Sequence, residues 1–168
     1  MSRRLDDLVA FWALLGGVVL LSIVAVTAFN IGARLLDLTA RPFGGSVRGF
    51  SGYEDYVRLT VSCAALMLLP YCQQRRGHVA VDLLAARMPA WLDRSMTVIS
   101  LGAMALLAGF LFGWMVVGMI ETRADGAVSR VLQWPEWLFY LPGLASLLLW
   151  TLVAARDACR AATGGIRS

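Results

Sequence analysis

The sequence predicts an all-α integral membrane protein with four transmembrane helices, and three observations carry that reading. The first is composition: 59% of the 168 residues are apolar, 15% are charged and the mean hydropathy is +0.70. An ordinary soluble domain has about 45–50% apolar and about 25% charged residues. The second is the length of the uncharged runs. Segments 8–33 and 95–120 each hold 26 residues without a charge, 137–155 holds 19 and 59–74 holds 16. About 20 apolar residues cross a hydrocarbon core at 1.5 Å per residue, so three runs qualify as they stand. The fourth qualifies when it is extended back to Gly52. The third observation is the placement of charge. All 15 basic residues are Arg, set one or two at a time at the ends of apolar runs. That is the distribution of topology signals rather than of a phosphate-binding stripe, so a net charge of +4 does not point to nucleic acid.

Helix 1 is expected over 8–36. Arg3 and Arg4 precede it, but the run is too long for a signal-peptide core and offers no convincing small-residue cleavage site. Thr27 and Asn30 are its deepest strongly polar groups and are expected to bond a neighbouring helix. The breaker cluster Arg41-Pro42-Phe43-Gly44-Gly45-Ser46 then reads as an external loop.

Helix 2 is expected over 52–74. Glu54 and Asp55 in its first turns suit the positive end of the helix dipole, and Glu54 with Arg58 has the i,i+4 spacing of an ion pair. Pro70 removes the hydrogen bond to the Leu66 carbonyl, so a kink or an early end is expected. Between helices 2 and 3, Val81, Leu84, Met88 and Leu92 recur every three or four residues, with His78 and Asp82 on the opposite face. This pattern predicts a short amphipathic cytoplasmic surface helix over 78–88, its arginines reaching anionic headgroups of the lipid bilayer.

Helix 3 is expected over 91–121. Gly109 and Gly113 form a GxxxG pattern, which lets another helix approach closely where lipid supplies no hydrophobic drive for association. Helix 4 is expected over 135–156, with Pro135 at its first position, Trp134 and Trp137 at the membrane interface and a kink at Pro142. Together the four helices read as one transmembrane domain over 1–168. Cys63, Cys72 and Cys159 lack metal-ligand spacing and read as small helix fillers.

Orientation follows from the arginines. Nine lie on the side of the two termini and the connection between helices 2 and 3, and six on the other side, which places both termini in the cytoplasm. Chemistry is sparse. There is no HExxH, GxSxG, P-loop or glycine-rich dinucleotide turn, and no charged residue falls mid-span. Ionisable groups inside a membrane normally mark ion or proton paths, so this chain alone does not read as a pump, nor as an enzyme, and no cofactor is expected.

Three stretches carry a resemblance. Ser51-Gly52-Tyr53-Glu54-Asp55 opens helix 2. Arg75-Arg76-Gly77-His78-Val79-Ala80-Val81-Asp82-Leu83-Leu84, with Met88-Pro89 behind it, fills the second connection. Val131-Leu132-Gln133-Trp134-Pro135-Glu136-Trp137 leads through Tyr140 to Pro142-Gly143. Over residues 8 to 155 the chain resembles the small membrane subunit of the tripartite ATP-independent periplasmic (TRAP) transporters, the DctQ-like family. The resemblance implies a bacterial inner-membrane scaffold without catalytic residues, working with a large membrane subunit that carries substrate and sodium sites. It also implies a periplasmic solute-binding protein that delivers a carboxylate-type organic acid. The residues expected at the subunit or binding-protein interface are Glu54, Asp55, Arg58, Gly109, Gly113, Trp134, Pro135 and Trp137. A homo-oligomeric four-helix multidrug exporter has similar size, but would need an acid inside the membrane for proton exchange.

Overall fold

The computed structural model describes residues 2–43, 45–75 and 90–163. Four long helices dominate them: α1 (Ser2–Ala40), α2 (Tyr53–Gln74), α3 (Ala90–Ala124) and α4 (Tyr140–Ala162). Short 3-10 turns at Arg41–Phe43 and Glu136–Phe139 follow α1 and precede α4. The expected surface helix over 78–88, with His78 and Asp82, lies outside the described residues.

Helices α1 and α3 run past their apolar stretches into charged sequence, because backbone hydrogen bonding does not stop where the hydrocarbon does. At 1.5 Å per residue α1 is about 58 Å long and α3 about 52 Å, well beyond a hydrocarbon core of about 30 Å. Tilt or protrusion accommodates such lengths. Helix α2 continues through Pro70 to Gln74, so the early end expected there does not occur.

The start of α4 differs from expectation. Pro135 is not the first helical residue: it is extended, at φ −67° and ψ 118°. It pairs with Val128 across a short antiparallel bridge, and the Glu136 N–H donates to the Ala127 carbonyl at 3.1 Å. This hairpin holds Pro135 extended, so a 3-10 turn over Glu136–Phe139 comes first and the α-helix begins at Tyr140. Pro142 consequently falls in the first turn, where a missing N–H costs no intrahelical bond and no kink is required.

Helices α2 and α4 form the centre, with α1 packed on α2 and α3 packed on α4. Paired positions give the directions. Ser22 Oγ meets Tyr56 Oη at 2.6 Å, while a Cβ added to Gly16 would meet the Met67 Cβ at 2.8 Å, so α1 and α2 are antiparallel. Arg58 faces Glu136 and Cys63 faces the Phe139 carbonyl, so α2 and α4 are parallel. Gly109 lies near Thr151 and Gly118 near Tyr140, which makes α3 and α4 antiparallel. Trp12 donates from Nε1 to Ser146 Oγ at 2.9 Å, and Arg156 Nη1 reaches Asp6 Oδ1 at 2.5 Å, tying α1 to α4 as well. The helices thus alternate up, down, up, down, and the two described loops share one end.

Three helical segments, Arg4–Ala40, Ser95–Ala124 and Glu136–Ala162, are long and apolar enough to cross a membrane. Their outward faces explain why. Only 6% of the most apolar stretch of α3 is buried within the chain and 17% of that of α1, against 33% for the segment containing α4. Leu106, Phe110 and Trp114 on α3, and Leu14, Leu21 and Val24 on α1, are exposed. The core between them is small: Ala108, Leu147 and Trp150, backed by Leu66, Leu69, Phe112 and Met115. With 22 residues, α2 is long enough to span but is less apolar. Its neighbours α1 and α4 cover it, so Thr60 and Gln73 can be buried without meeting lipid.

Candidate functional site

The loop end gathers residues far apart in sequence. Gly52 turns the chain into α2 with φ +89°, a left-handed conformation natural to glycine. A Cβ there would also meet the Leu132 side chain at 2.9 Å, so the position serves both the turn and the close approach of the second loop. Three residues on, Asp55 is buried at 8% exposure and its Oδ2 accepts the Val131 and Leu132 N–H groups at 2.6 and 3.2 Å. A carboxylate taking two backbone amides is a charge-assisted clamp. It docks the hairpin between α3 and α4 onto the start of α2.

The hairpin is closed from within. The Ser129 N–H donates to the Trp134 carbonyl at 2.9 Å, and the Trp134 N–H donates to Ser129 Oγ at 3.2 Å. Gln133 takes a positive φ of 55°, rare for a residue with a side chain, which lets the four-residue turn close. Trp134 stacks on Phe139 with ring centroids 6.1 Å apart, and the Arg123 guanidinium lies 4.9 Å from the Trp137 ring centroid.

Arg58 does not pair with Glu54. Its Nη2 reaches Glu136 Oε1 at 3.2 Å, one turn before α4, and Glu54 points outward. The i,i+4 pair loses because the hairpin brings a second carboxylate beside Arg58 from a distant part of the chain. The Arg58 and Glu136 side chains remain 59% and 24% exposed, so the pair is open to solvent or to a partner. Asn30 also differs from expectation. Its Nδ2 donates to the Val26 carbonyl of its own helix at 3.0 Å, and its side chain faces the first loop rather than another helix.

The structure therefore unites Glu54, Asp55, Arg58, Trp134, Pro135 and Trp137 at one end. Gly109 and Gly113 stand apart on α3. Gly109 touches Thr151 at the edge of the α4 contact, whereas Gly113 is exposed and a Cβ there would meet nothing within 4 Å. Sequence reasoning missed Glu136 as the partner of Arg58, and Ser129 as the lock of the hairpin. Cys63 is more than a filler, since its Sγ lies 2.9 Å from the Phe139 carbonyl that precedes α4. It missed Gly16 too, although a Gly16-Gly17 pair inside an apolar run is a legible sign of close packing.

This arrangement holds two loops and an ion pair in place. Among the described residues no cluster of His, Cys, Asp and Glu could hold a metal ion. Neither the curated proteins nor the solved structures offer a match to the chain. The family model for the DctQ component of the tripartite ATP-independent periplasmic transporters matches residues 31–164. That stretch takes in the end of α1, both loops of the clamped end and the remaining helices, so the chain belongs to the DctQ family and is a small membrane subunit of a TRAP transporter.

Proposed function

We propose that this subunit is a scaffold in a sodium-coupled importer of a carboxylate-type organic acid, working with a large membrane subunit and a periplasmic solute-binding protein. All four helices cross the inner membrane in this reading, both termini are cytoplasmic, and the clamped loop end faces the periplasm. The observation that carries it is the division of labour within the chain. The charged side chains gather at the helix ends, the mid-span positions are apolar, and the broad faces of α1 and α3 are left uncovered. A secondary transporter binds ion and substrate near the midplane, so those sites belong to the larger subunit. The Arg58–Glu136 pair and Glu54 would dock a partner at the periplasmic surface. The α3 face around Gly113 would pack against the large subunit.

Co-purification in mild detergent tests this. The wild-type chain should retain a larger membrane protein encoded beside it, and Arg58→Gln should lower the yield of that complex. A chain that purifies as a stable monomer, with no partner lost on substitution, would contradict the scaffold reading.

A further inference from the structure

The segment 45–51 runs back along the last turns of α1 and leaves a cleft of about 310 Å³ between the two. Asn30, Arg34 and Asp37 of α1 face Ser51 and Tyr53 across it, and Ile31 supplies an apolar wall. The returning chain passes so close to α1 that a Cβ at Gly49 would lie 2.6 Å from Asn30 Oδ1. Asp37 is already satisfied: it accepts from Arg41 Nε at 2.9 Å and from the Val47 N–H at 3.0 Å. Arg34 has no ion pair or hydrogen bond among the described residues, and neither do the hydroxyls of Ser51 and Tyr53. The cleft thus offers one unspent guanidinium and two unspent hydroxyls beside an acid whose charge is neutralised.

Its apolar side continues out of the cleft. Ile31 is 57% exposed, and Val24, two turns toward the bundle on the same face of α1, is 63% exposed. A ligand that fits is anionic at one end and carries a long apolar chain. We propose that this cleft binds a phospholipid, with the phosphate of its headgroup held by Arg34 and an acyl chain laid along Ile31 and Val24. A guanidinium matches a phosphate through paired N–H donors. The apolar path favours a lipid over free phosphate. None of its residues belongs to the Arg58–Glu136 pair, so this proposal and the scaffold reading fail separately.

Native mass spectrometry of the purified full chain tests the proposal, with phosphatidylglycerol as the added lipid and inorganic phosphate as a competitor. Wild type should keep one tightly held lipid. Arg34→Gln should lower its occupancy about tenfold, the size expected for loss of a charge-assisted contact. Arg34→Lys should restore part of it, and Arg48→Gln, on the same loop but outside the cleft, should leave it unchanged. Millimolar phosphate should not displace the lipid. Equal retention in Arg34→Gln, equal loss in Arg48→Gln, or displacement by inorganic phosphate would each overturn the proposal.

Discussion

Asp55 shows how one side chain organises a surface. Its carboxylate ties the start of α2 to the amides of Val131 and Leu132, 76 and 77 residues away. Asp55→Ala should release the hairpin without unfolding the helices. Hydrogen exchange at Val131 and Leu132 should rise by about tenfold or more, while α3 and α4 exchange as before. Unchanged protection would mean that the hairpin stands without the clamp. Arg58 and Glu136 behave differently, because their pair is exposed. An exposed ion pair contributes at most about 1 kcal/mol, whereas breaking one buried in an interface costs about 3–5 kcal/mol. Glu136→Gln should therefore leave the melting temperature of the isolated chain nearly unchanged while lowering the yield of the assembled transporter. A large drop in the melting temperature of the isolated chain would show that the pair serves the fold.

At the scale of the elements, two glycines separate contacts inside the chain from contacts beyond it. Gly16 is buried against Met67, so Gly16→Val overpacks the α1–α2 contact and should cost about 1–3 kcal/mol, read as a lower melting temperature in detergent. Gly113 meets nothing, so Gly113→Leu should leave the isolated chain as stable as wild type and weaken only its association with the large subunit. The reverse pattern would place the α3 interface elsewhere. The helices themselves were legible because uncharged runs of 16 to 26 residues leave few alternatives in a membrane. The start of α4 was not, since Pro135 reads locally as a first helical residue and only the bridge to Val128 holds it extended. The partner of Arg58 was hidden for the same reason. The i,i+4 rule sees Glu54, and 78 residues of chain separate Arg58 from the carboxylate it meets. What sequence conveyed was two motif-like stretches, and the structure brings these together at Asp55. Which atoms join them depended on a turn closed by Ser129 and Gln133.

Over the whole molecule, the alternating helix directions put the start of α1 and the end of α4 at one end of the bundle, and the arginine bias predicts that this end is cytoplasmic. A reporter active only in the periplasm should be silent when fused after Ser168 and active when inserted near Gly45, and the opposite result would reverse the orientation. The faces of α1 and α3 leave broad apolar surfaces that the chain itself does not cover. The proposed scaffold role assigns ion coupling to another subunit. Uptake into proteoliposomes assembled from the purified partner chains measures that assignment directly, with sodium and substrate counted together for wild type and Glu136→Gln. The scaffold account predicts slower uptake in proportion to the lost complex, at an unchanged ratio of sodium to substrate. A changed ratio, or uptake by this chain alone, would contradict it.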